Sequence, residues 1–138
     1  MGYDLTSESG DTLRFNGAGW ALLLNVAEAY GWQPLGSLPP TDCSGDWDGT
    51  YDANEGQIVS REDAKNLADA LTQAQNDPDR TAREKQISAE INKELMQVEI
   101  ELFGEEAINP DEYPEIVCDA ATLERFITFL RKGSFTIQ

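Results

Sequence analysis

Histidine is absent from the 138 residues. That one absence removes Ser–His and Cys–His nucleophile pairs and every histidine metal site. A general base near pH 7 would have to be a perturbed Asp, Glu, Lys or Tyr. There are only two cysteines, Cys43 and Cys118, far apart and in no CxxC pattern. They cannot complete a four-cysteine zinc site, and they are expected to be reduced thiols of a cytoplasmic protein. No window approaches the roughly 18 apolar residues of a membrane span. No basic start followed by an apolar run marks a secretory leader. Met1-Gly2-Tyr3-Asp4-Leu5-Thr6 fits the letters of a myristoylation site, but no polybasic stretch supplies the second signal that stable anchoring needs. No glycine-rich phosphate loop is present, since Gly17-Ala18-Gly19 is not followed by a GK[ST] sequence.

Positive charge is also scarce. Ten Lys and Arg stand against 26 Asp and Glu, for a formal charge of −16. A surface this acidic repels phosphate backbones and anionic lipid, so neither nucleic acid nor membrane is an expected partner. Hydrophobic residues make up 40% of the chain, enough to exclude compositional disorder. Length and composition together suit one globular domain over residues 1–138.

Local patterns place the elements. Tyr3–Leu5 and Thr12–Phe15 flank a Gly-containing polar loop and read as a β-hairpin. Asn16 is a helix cap, with Trp20, Leu23, Leu24, Ala27 and Tyr30 at helical spacing and Gly31 as the stop. Gln57–Val59 reads as a short strand. Ser60 and Asp63 resemble a capping box before an amphipathic helix carrying Ala64, Leu67, Ala68 and Leu71. A long helix is expected from about Thr81 to Phe103, with Ile87, Ile91, Leu95, Val98 and Leu102 on one face and Met96, Ile100 and Phe103 beside it. Asp119 caps a last helix, and Phe135 and Ile137 alternate in a terminal strand. The expected class is α+β: a small antiparallel sheet, in which the N-terminal hairpin meets the C-terminal strand, packed with three to four helices. Trp20, Trp32, Phe126 and Phe129 are expected in the core.

The acids are unevenly spread. Residues 94–124 hold ten and no base; residues 15–60 hold six and no base. A field of one sign speeds association with the opposite sign and rejects like charge. The preferred reading is a non-catalytic acidic binding or inhibitor protein of the immunity-protein kind. It would dock on a basic protein surface through Glu99, Glu101, Glu105, Glu106, Asp111 and Glu112, with Tyr113 as an aromatic anchor. The alternative lies in the acidic aromatic loop, where Asp46, Asp48, Asp52, Asn54, Glu62 and Asp63 offer oxygen ligands for Ca²⁺. Neither EF-hand register is complete: counted from Tyr51, Gly56 falls correctly at position 6 but Tyr51 and Ala53 stand where ligands are expected, and counted from Asp52, Gly56 falls at position 5, where a ligand is wanted, and Gln57 takes the glycine position. No other cofactor is expected.

Overall fold

The computed structural model describes residues 2–43, 45–107 and 118–138. The chain runs β1 (Gly2–Ser7), β2 (Thr12–Asn16), α1 (Gly17–Ala29), β3 (Gln57–Val59), α2 (Arg61–Gln75), α3 (Arg80–Phe103), a 3-10 turn (Glu105–Ala107), α4 (Ala120–Leu130) and β4 (Phe135–Ile137). The class is α+β.

The four strands form an antiparallel sheet in the order β2-β1-β4-β3. The expected meeting of hairpin and terminal strand is seen: Leu5 lies opposite Ile137 and Ser7 opposite Phe135. β3 adds to the far side of β4, with Val59 opposite Phe135. Because side chains alternate along a strand, this register puts Leu5, Ile137, Phe135 and Val59 on one buried face. Thr6, Thr12 and Thr136 line up on the other.

Three of the helices begin where local chemistry says they should. Asn16 accepts from Gly19 N–H, Ser60 from Asp63 N–H and Asp119 from Thr122 N–H, each satisfying a donor that has no partner inside the helix. α1 ends before Gly31, whose φ of +100° suits a residue without Cβ. The core joins Leu22, Leu23 and Val26 of α1, Leu67 and Leu71 of α2, and Leu123, Phe126 and Leu130 of α4 to the inner sheet face. Trp20, Trp32, Phe126 and Phe129 are all buried, as expected. Among the described residues no helix is long and apolar enough to cross a membrane.

α3 departs from this pattern. Only Glu84 and Ser88 are buried along its 24 residues. Ile87 packs on the core, whereas Leu95, Val98, Leu102 and Phe103 stand in solvent.

Glu84 is a buried carboxylate 3.7 Å from Arg80, and its Oε2 has no hydrogen-bond partner among the described residues. Burial raises its pKa, opposed by the Arg80 guanidinium and by a hydrogen bond from the Cys118 backbone. The folded state then holds this proton more tightly than the unfolded chain. Protonation therefore stabilises the fold as pH falls through the raised value toward the ordinary one. Glu8, Asp11, Asp77 and Asp119 act oppositely. Their pKa values are lowered, chiefly by hydrogen bonds from Ser134, Lys132, Tyr30 and Thr122 respectively, so acid weakens them. The Glu84 contribution is isolated by difference. Relative to Glu84→Gln, the natural chain should gain stability as pH drops from about 7 toward about 4.5. Urea midpoints of both chains across that range check this, and a flat or reversed difference counts against it.

Candidate interaction surface

The exposed end of α3 follows from two helix lengths. At about 1.5 Å per residue, the 24 residues of α3 span about 36 Å and the 13 of α1 about 20 Å. The two run antiparallel. Tyr30, at the end of α1, donates its O–H to Asp77 and lies under the Arg83 guanidinium, 5.3 Å from ring centre to Cζ. At the other end, Ala21, Leu24 and Asn25 of α1 line a cleft of about 310 Å³ with Ile91 and Glu94 of α3. α1 has only one further turn before its first residue, and α3 runs on for nine residues past Glu94.

Those nine residues hold four of the six large exposed apolar side chains among the described residues. Leu95 is 51% exposed, Val98 52%, Leu102 68% and Phe103 72%. Carboxylates alternate with them along the chain. Glu94, Glu101, Glu105 and Glu106 are exposed, and Glu99 is half-buried. Gly104, at φ +87°, turns the chain from α3 into the 3-10 turn that carries Glu105 and Glu106. Of the expected docking residues, Glu99, Glu101, Glu105 and Glu106 share this end of the molecule. Asp111, Glu112 and Tyr113 lie outside the described residues.

Charge spacing points to the carboxylates, whereas periodicity alone marks Leu95, Val98 and Leu102 as one helix face without saying what covers it. The signal that separates them from core is the mismatch between a 24-residue helix and its 13-residue neighbour.

The acidic aromatic loop is built differently. Asp46 and Asp48 line a shallow cleft of about 400 Å³ with Trp47, Thr50, Ala53 and Glu55. Asp48 caps Thr50 N–H at 3.2 Å. Asp52 is exposed, and its carbonyl accepts from the Tyr3 hydroxyl at 2.7 Å. The Asn54 amide donates to the Gly2 carbonyl at 3.4 Å. Glu62 is exposed in the first turn of α2. Asp63 is fully buried. Its Oδ1 accepts from Trp32 Nε1 at 3.0 Å and Leu35 N–H at 3.4 Å, and its Oδ2 accepts from the Tyr51 hydroxyl. Among the described residues no three Cys, Asp or Glu side chains come together to hold a metal ion. A cation at Asp63 would first have to displace three donors.

Asp63 therefore does more than complete a capping box. Ser60 accepts from its backbone N–H at 3.2 Å, but its carboxylate turns inward to the loop instead of back to Ser60. Burial, then the Asp63 carboxylate, pushes the Tyr51 phenol well above its ordinary value, so it stays a donor at all working pH. Other straps join the same loop. Trp20 Nε1 donates to the Tyr51 carbonyl at 2.8 Å, Gly36 N–H to the Tyr51 hydroxyl at 2.9 Å, and Trp47 Nε1 to Ser37 Oγ at 3.1 Å. Gly49, at φ +76°, lets the loop backbone pass beside Gly36, where an added Cβ would sit 3.2 Å from the Gly36 Cα.

Four of the ten bases, Arg61, Lys65, Arg131 and Lys132, line a separate cleft of about 530 Å³ with Glu8. Three are neutralised in place: Arg61 by Glu8 at 2.6 Å, Arg131 by Asp69 at 3.1 Å and Lys132 by Asp11 at 2.9 Å. Both cysteines are free. Cys118 is buried, and burial pushes its thiol up to about 11, with Glu84 and Asp119 adding to the rise. That is the opposite of a thiol activated at a helix start.

No family model, curated protein or solved structure matches the chain.

Proposed function

We propose that the chain acts by binding, as a non-catalytic acidic inhibitor of the immunity-protein kind. The overhanging end of α3 is the surface that covers a basic patch on another protein. One observation carries this reading: four large apolar side chains, at Leu95, Val98, Leu102 and Phe103, stand in solvent in a stretch, residues 94–106, whose only charged residues are Glu. Exposed apolar groups rimmed by polar ones are a mark of interaction sites. Here the apolar groups supply the desolvated centre and the carboxylates supply attraction and rejection of wrong partners. Phe103, the most exposed of the four, fills the anchor role that an aromatic side chain plays in such surfaces.

The charge-reversal variant Glu99→Lys, Glu101→Lys, Glu105→Lys and Glu106→Lys tests this. The natural chain and the variant are used as baits in parallel, and retained proteins are compared by quantitative mass spectrometry. The expected result is that basic proteins held by the natural chain fall at least about tenfold with the variant, because rim charges set encounter and specificity. An unchanged set of retained proteins sinks the reading.

A further inference from the structure

The proposed function gives the partner a charge, and the spacing of side chains along α3 gives it a shape. We infer that the end of α3 is one strand of an intermolecular coiled coil, and that it receives a single amphipathic α-helix with Lys or Arg on both sides of its apolar seam. This rests on the reading of α3 as an acidic docking surface and specifies the partner of that surface.

The seam is visible in the numbering. Glu84, Ser88, Ile91, Leu95, Val98 and Leu102 follow each other at steps of four, three, four, three and four. From Ser88 to Leu102 the steps average 3.5 residues per turn, the period at which one helix keeps a constant face toward another. The first half of the seam is already used. Glu84 and Ser88 are the buried residues of α3, and Ile91 faces α1 across the cleft. The second half, from Leu95 to Leu102, continues in the same register along the first turn of α1 and past its start, and is exposed. A face that is buried at Glu84 and Ser88 and lines the α1 cleft at Ile91 continues, in one register, as the apolar row Leu95, Val98 and Leu102.

The flanks select the partner. In this register Leu95 and Leu102 take the a positions and Val98 a d position. The flanking e and g positions from residue 94 to 102 are then Glu94, Glu99 and Glu101, all acidic. A second copy of this chain would set Glu against Glu in either orientation, since parallel pairs match g with e and antiparallel pairs match like with like. Repulsion at these positions disfavours self-pairing, and Lys or Arg at the same positions of a different helix reverses its sign.

The test uses the full chain and designed peptides. The probe is a capped helix of about three heptads with Leu and Ile at a and d, Lys at e and g, and Gln and Ala elsewhere. A control of equal composition and charge carries two central prolines, which abolish the helix. Binding is followed by calorimetry at about 50 and about 300 mM salt, and helix formation by circular dichroism. The expected result is micromolar binding of the helical probe only, with a gain of helix and weakening at the higher salt. Leu95→Gln, Val98→Gln and Leu102→Gln together should reduce affinity at least about 30-fold, with the melting midpoint of the free chain unmoved. Equal binding of the proline control overturns the helix and leaves the acidic docking surface standing. Binding of neither peptide overturns both. A fall of more than about 5 °C in the midpoint of the triple variant shows the chain covering this face itself, and overturns the inference. So does a dimer of the natural chain that sediments as a monomer after the triple substitution.

Discussion

Asp63→Ala should lower stability by about 3 kcal/mol or more, with a fall of roughly 10 °C in the melting midpoint for a chain of this size. The reason is what the substitution leaves behind. Asp63 is fully buried and its carboxylate accepts from Trp32 Nε1, Leu35 N–H and the Tyr51 hydroxyl. Trp32 is only 4% exposed, so its indole N–H has no water to turn to. Hydrogen bonds to a charged acceptor contribute about 1.5–3 kcal/mol each, and stranding the donors adds their desolvation cost. The carboxylate also sits in the first turn of α2, where negative charge favours the helix. Asp63→Asn keeps an acceptor for Trp32 and should cost about half as much. Urea unfolding of both variants checks this, and a loss under about 1 kcal/mol for Asp63→Ala would mean that the network is ornamental.

Trp20→Ala should cost about 4 kcal/mol, the range seen when a large aromatic is cut from a close-packed core. Trp20 is 1% exposed and its ring lies about 6 Å from those of Tyr3, Phe15 and Phe126. Its second role is separable. Nε1 holds the Tyr51 carbonyl, so Trp20→Phe, which retains most of the packing and loses the donor, should cost about 1–2 kcal/mol. It should also speed amide exchange in residues 46–56 more than in α2 or α4. If Trp20→Ala fails to fold, Trp20→Phe still decides the matter. Exchange that rises evenly across the chain, or not at all, would show that this hydrogen bond does not hold the loop.

These two sites show which parts of the molecule can be read from residue order. Elements with local causes are legible: Asn16, Ser60 and Asp119 cap the helices that they precede, Gly31 ends α1, and the alternation at Phe135 and Ile137 marks a strand. The pairing of the hairpin with β4 is legible as well, since three short strands with one apolar face must share a sheet to bury it. The insertion of β4 between β1 and β3 depends on contacts distant in sequence and has no local signature. Asp63 illustrates the same limit at the level of one residue. Ser60 explains it as a helix-start residue, but its bonds to Trp32 and Tyr51 join positions 31 and 12 residues away. The acids of α3 are plain as a run of charge. The apolar residues between them look like core until the helix beside them is seen to end.

The most direct test of α3 as the docking surface is a hydrogen-exchange map of the full chain, free and saturated with the lysine-flanked helix. In the free chain, amides of residues 95–106 should exchange faster than those of α2 and α4, because little is packed over them. On binding, protection should gather in residues 94–106 and leave the acidic loop at 46–56 and the cleft around Arg61 and Arg131 unchanged. Protection centred on residues 46–56, with α3 unaffected, would move the surface to the other acidic run and contradict the assignment.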